Sequence, residues 1–183
     1  MPIFGKKDNK EYRKAAQLIT EGKFPDAIEL LRKILKENPK QVNTMTSLAI
    51  ALMEIQENPE VNSPETAEAL TLLDDAASID NKNPIPLFNK GILLRKLGKL
   101  EDALDVFLTA VEIEKKQPLA LLQIAEINYE LERWEPAVEY ARQALIRDPG
   151  LESALSWVRD AMIKAGLIED DINPAELLKS KTE

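Results

Sequence analysis

The stretch Leu100-Glu101-Asp102-Ala103-Leu104-Asp105-Val106-Phe107-Leu108-Thr109-Ala110-Val111 recurs in outline 34 residues later as Trp134-Glu135-Pro136-Ala137-Val138-Glu139-Tyr140-Ala141-Arg142-Gln143-Ala144-Leu145. In both, the apolar residues fall three and four apart, which is the spacing of one face of an α-helix. Working outward, Ala69, Leu72, Leu73, Ala76 and Ile79 repeat the stripe, and so do Ala27, Leu30, Leu31, Ile34 and Leu35. Ala69, Ala103 and Ala137 are spaced by 34, as are Ala76, Ala110 and Ala144, whereas Ala27 to Ala69 is 42. A period near 34 carrying two helices predicts an all-α solenoid of antiparallel helix pairs, because each pair can bury its apolar face only against its neighbours. The alanines recur where paired backbones must approach closely. No stretch alternates with a period of two, so no sheet is expected.

The turn signals fall between these stripes. Ser63-Pro64, Asn83-Pro84 and Asn173-Pro174 place a capping side chain before a proline at the first helical position. Gly22, Gly98 and Gly166 follow helical stripes, where a left-handed cap suits glycine, and Glu132 stands at the same interval.

Composition excludes much chemistry. The 183 residues include no Cys and no His, with a net charge of −8, 44% apolar and 31% charged residues. Thiolate or imidazole nucleophiles, and zinc sites built on those ligands, are therefore ruled out. Asp74-Asp75 and Glu169-Asp170-Asp171 are carboxylates adjacent in sequence, and helical neighbours do not face each other as a catalytic pair must. Asp80-Asn81-Lys82-Asn83 lacks the Gly and the closing Glu of a calcium loop. The expectation is no enzyme activity, no cofactor and no metal. Acidic charge disfavours nucleic acid. No apolar run has the roughly 18 residues of a membrane span, and Met1-Pro2-Ile3-Phe4-Gly5-Lys6-Lys7 is no secretory leader, so a cytoplasmic protein without membrane partners is expected. Charge is uneven: residues 1–40 carry +4 and residues 41–183 carry −12.

The register kept over four repeats resembles the tetratricopeptide repeat family. The first repeat reads Glu11, Lys14-Ala15, Leu18, Ala27, Leu31, Pro39; the second Met45, Leu48-Ala49, Leu52, Ala69, Leu73, Asn81. The third reads Leu87, Lys90-Gly91, Leu94, Ala103, Phe107, Lys115; the fourth Leu121, Ile124-Ala125, Asn128, Ala137, Ala141, Pro149. Asn81 and Lys115 replace the family's closing proline. The resemblance implies a right-handed superhelix over residues 8–167, with repeats at about 8–41, 42–83, 84–117 and 118–151 and a capping helix at 152–165. Repeat two holds eight extra residues between its helices, around Glu54 to Pro64. Residues 1–7 are expected to be a flexible start, and residues 168–183 an acidic tail with one short helical candidate at 174–180.

The resemblance also implies a function, which is non-catalytic protein binding in a concave groove lined by the first helix of each pair. The apolar groove positions are Tyr12 and Ile19 in repeat one, Ile50 and Met53 in repeat two, and Ile85, Phe88 and Ile92, with Asn89, in repeat three. Leu119, Leu122 and Tyr129 follow in repeat four and Trp157 in the cap, with Glu54, Lys96, Asp160 and Lys164 among the polar positions. Such a stripe predicts capture of a partner peptide or amphipathic helix, as an adaptor, scaffold or co-chaperone. Changing Phe88 and Leu122 together to Asp is expected to abolish capture while leaving the chain folded. Some members of the family hold chaperone carboxylates through Lys, Asn and Arg. The matching positions here are Tyr12, Ala16, Ser47, Ile85 and Asn89, with no cation, so that clamp is absent. The alternative is a scaffold that self-associates weakly through its basic N-terminal and acidic C-terminal ends.

Overall fold

The computed structural model describes residues 6–115 and 117–169, with side chains described for 10–115, 117–153 and 156–169. The helical candidate at 174–180 and most of the expected acidic tail lie outside the described residues. Among the described residues there is no strand. The helices are α1 (Lys6–Thr20), α2 (Phe24–Glu37), α3 (Val42–Glu54), α4 (Pro64–Ile79), α5 (Ile85–Lys96), α6 (Leu100–Ile113), α7 (Pro118–Glu130), α8 (Trp134–Arg147) and α9 (Val158–Lys164). Helix α1 begins inside the segment expected to be a flexible start.

The chain divides into two compact units, which meet in sequence between Lys99 and Leu100. The first holds α1 to α5. Its core gathers Ala15, Ala27, Leu31, Leu48, Ala49, Leu52, Ala69, Leu73 and Leu93. The second holds α6 to α9, with Leu121, Ala125, Val138, Ala141 and Ala144 packed against Val158, Ala161 and Met162 of α9. Every alanine of the 34-residue ladder from Ala27 to Ala144 is fully buried. A larger side chain there would hold the paired helices apart.

Three of the pairing turns are alike. Gly22, Gly98 and Glu132 each stand at positive φ, at 71°, 71° and 58°. Each turn closes with the same two backbone bonds, as in Lys99 N to Leu94 O at 2.9 Å and Gly98 N to Arg95 O at 2.9 Å. That is the double bond of a Schellman cap, which satisfies carbonyls the helix leaves open. Gly166 repeats it after α9, at φ 68°. Glu132 holds the conformation without being glycine, at a cost of roughly 1–2 kcal/mol.

The second turn departs, as the 42-residue interval requires. The loop between α3 and α4 covers residues 55–63 where its counterparts have three residues, and α4 has 16 residues where α2, α6 and α8 have 14. The longer loop is tied down. Ser63 Oγ caps α4 by accepting from Thr66 N at 3.1 Å and donates to Gln56 Oε1 at 2.7 Å. Thr66 Oγ1 donates to the same oxygen at 3.1 Å, and Gln56 Nε2 donates back to Leu52 O at 2.8 Å. One glutamine thus links the end of α3 to the start of α4.

The single helix expected over 152–165 is divided. Residues Pro149–Leu155 form a 3-10 segment, in which Asp148 Oδ1 accepts from Gly150 N at 2.9 Å, and the α-helical turns resume only at Val158. The Asp148-Pro149-Gly150 sequence tightens the chain into a cap of its own before α9 begins. Packing also runs one residue past the expected boundary, since Ile168 is buried among the second unit's core.

Candidate interaction site

In the first unit the odd-numbered helices present the candidate positions. Tyr12 on α1 is half-buried, and its hydroxyl lies 3.1 Å from Ser47 Oγ on α3. Ile19, Ile50 and Ile92 are half-buried, and Ile19 and Ile92 lean on the core beneath. Phe88 and Asn89 are half-buried, with Asn89 Nδ2 donating to Ile85 O at 2.9 Å. Ile85 is 52% exposed. Lys96 on α5 reaches Glu54 on α3 at 2.7 Å, so this cation and carboxylate pair with each other. Such an exposed pair adds little stability.

Two expected groove residues are interior. Met53 is 2% exposed and packs within the first unit's core. Leu122 is 6% exposed and belongs to the cluster completed by Val158, Ala161 and Met162 of α9. Its periodic position is that of Phe88, but α9 supplies extra apolar surface in the second unit. The double change of Phe88 and Leu122 to Asp would therefore place a carboxylate in a packed core, and loss of capture would report unfolding.

In the second unit, Leu119 is 52% exposed. Tyr129 and Trp157 are drawn into a cluster instead. Their rings are 4.7 Å apart, and Trp134 meets Tyr129 edge-on at 5.4 Å. Lys164 Nζ lies 4.4 Å from the Trp134 ring centre and 2.9 Å from Asp160 Oδ2, and Tyr129 OH donates to that same oxygen at 2.7 Å. The Lys164 bond, then the Tyr129 bond, hold the Asp160 carboxyl below its ordinary range. The same carboxylate raises Lys164, and it raises Tyr129 because the neutral phenol is the donor. The spacing assigns Trp134 to the apolar stripe of α8. Its part in this cluster, at 129, 134 and 157, follows no repeat interval that would have revealed it.

These features suit contact with a polypeptide. Half-buried aliphatic and aromatic side chains offer apolar area with little side-chain entropy left to lose. Among the described residues no group of three acidic side chains is placed to hold a metal ion, and no helix is long and apolar enough to cross a membrane.

Residues 88–152 match the tetratricopeptide repeat family. No curated protein sequence matches the chain. Among solved structures, a MamA protein is similar at 19% identity, with 90% of this chain and 85% of that one covered and a TM-score of 0.71. A MamA double mutant is similar at 17% identity, covering 95% and 91%, with a TM-score of 0.73. The first tetratricopeptide domain of Spaghetti (RPAP3), bound to an HSP90 peptide, is similar at 19% identity, covering 70% and 96%, with a TM-score of 0.60. At these identities the likeness shows the fold, an all-α solenoid of helix pairs, and the resemblance read from the sequence holds.

Proposed function

We propose that this tetratricopeptide-repeat chain is a non-catalytic interaction module that holds a partner peptide or amphipathic helix against its odd-numbered helices, as an adaptor or scaffold in the cytoplasm. The observation that carries the reading is an open aliphatic side chain on an odd-numbered helix of each unit taken by itself, Ile85 in the first and Leu119 in the second. They stand 34 residues apart, at the first turns of α5 and α7, and each is 52% exposed. Large aliphatic residues recurring at one repeat position and left open to solvent are what a docking surface requires. The half-buried Tyr12, Ile50 and Ile92 extend the apolar character of that face in the first unit. One structural neighbour is bound to an HSP90 peptide. The positions matching the family's carboxylate clamp hold no Lys or Arg here, which argues for an apolar ligand over a chaperone tail.

The test replaces the unsuitable pair with the exposed one. Affinity capture from lysate is compared between the wild-type chain and the double variant Ile85→Asp, Leu119→Asp, with folding checked by circular dichroism. Loss of the captured partner by the folded variant supports the reading. Undiminished capture removes this surface from consideration.

A further inference from the structure

The inserted loop builds a second surface in the first unit. A cleft of about 570 Å³ lies between the start of α2, the end of α3 and the start of α4. Its apolar surface is made by the exposed Pro25 and the 42% exposed Ile55, which lie over the core residues Ile28 and Leu52. Its rim is acidic, with Glu29 on α2 and Glu65 on α4 both exposed. Arg32, the cation in the wall, is engaged by Glu68 through two bonds at 2.5 and 3.3 Å. The loop beyond Gln56 adds Glu57 and Glu60, of the same sign. The Gln56 network described above holds the wall in place, so the cleft exists before any ligand arrives.

An apolar surface with an acidic rim selects a segment that is apolar and basic at once. This chain carries one at its start, where Ile3-Phe4 is followed by Gly5 and then Lys6-Lys7. We propose that the cleft docks the N-terminal segment of a second copy of this chain, with Ile3 and Phe4 against the apolar surface and the two lysines toward Glu29 and Glu65. The copy's own segment is out of reach. Glu11 on α1 meets Lys33 on α2 at 3.0 Å, and the short turn makes the two helices antiparallel. Lys6 and Ile28 therefore lie on opposite sides of that contact, about 15 Å apart along the helix axes at 1.5 Å per residue. Ile3 is three residues before Lys6 and extends at most about 10 Å from it. A site this small falls well short of the roughly 1,200–2,000 Å² buried in stable complexes, so the association is transient and weakened by salt. The proposal is independent of the partner surface on the odd-numbered helices.

The test is a nuclear magnetic resonance titration of the isotopically labelled full chain with a synthetic peptide of residues 1–10. Shifts are expected at Ile28, Ile55, Gln56 and Glu65. Affinity should fall at least tenfold for the peptide carrying Phe4→Asp, and for the full chain carrying Glu29→Lys and Glu65→Lys, two exposed positions whose folding is confirmed by circular dichroism. In sedimentation, the full chain should lose its concentration-dependent association at high salt and in the Ile3→Asp, Phe4→Asp variant. Silent cleft resonances overturn the proposal. So do shifts confined to Tyr12, Ile50 and Ile92, or a peptide affinity unchanged by the Glu-to-Lys chain.

Discussion

The two units use one repeat position in opposite ways. Phe88 in the first and Leu122 in the second stand 34 residues apart in the same register, yet Phe88 is half-buried and Leu122 is interior. The units also tie their helices differently. The first uses isolated polar contacts, Tyr12 with Ser47 and Lys96 with Glu54, and spends its insertion on a loop anchored by Gln56. The second closes over itself, with Trp157 and, on α9, Asp160 and Lys164 brought onto Tyr129 and Trp134. A repeat interval therefore assigns a residue to a face, and the next element along the chain decides whether that face meets solvent.

The largest expected effect tests that difference directly. Leu122→Ala should cost about 2–5 kcal/mol in urea unfolding, as a deletion from a packed cluster does, whereas Ile85→Ala should stay within about 0.5 kcal/mol of wild type. Equal costs would break the comparison. Next comes the loop anchor. Gln56→Ala leaves the Ser63 and Thr66 hydroxyls without their shared acceptor, and a loss of about 1–2 kcal/mol is expected. A neutral result would mean that the longer turn stands without its anchor.

The turns sharpen the comparison at smaller scale. Gly98→Ala forces a side chain into left-handed backbone and should cost about 1 kcal/mol, while Glu132→Gly relieves the same strain and should gain up to about 1 kcal/mol. Opposite signs at two equivalent positions, read from denaturation midpoints, are the expected result.

The smallest effect is the response of the aromatic cluster to pH. Asp160 is lowered from 3.8 by Lys164 and then by Tyr129, so its contribution is complete above that value and is lost as pH falls through the folded one. Lys164 is raised from 10.5 by Asp160, so its contribution is complete below 10.5 and is lost as pH rises through the folded value. Tryptophan emission should be flat between these limits and change at both ends. Asp160→Asn should remove the acid limb, and an acid limb that survives in that variant would place its origin elsewhere.

Much of this is legible in the sequence. The alanine ladder predicted the packed helix pairs because close approach tolerates only small side chains, and its seven members, Ala27, Ala69, Ala76, Ala103, Ala110, Ala137 and Ala144, are fully buried. Gly22, Gly98 and Gly166 marked turns because the left-handed cap excludes most side chains, and Ser63 marked a helix start by its hydroxyl. The candidate site was less legible. Ile85 and Leu119 are each 52% exposed, Met53 and Leu122 are covered, and Tyr129 and Trp157 are engaged with neighbours that share no interval with them. The expected capping helix was interrupted because Asp148-Pro149-Gly150 favours a tight turn over the pattern that follows it.

By itself, the order of residues determined the helices, their pairing and the place of the insertion. These depend on contacts between positions a few residues or one repeat apart, where periodicity is a direct record of geometry. Only the tertiary structure decided which apolar side chains stay open, that an acidic-rimmed cleft forms beside the longer loop, and that α9 is held by a cluster of three aromatic rings, a lysine and a carboxylate. Burial depends on everything that surrounds a residue, and elements far along the chain leave no mark at the position they cover.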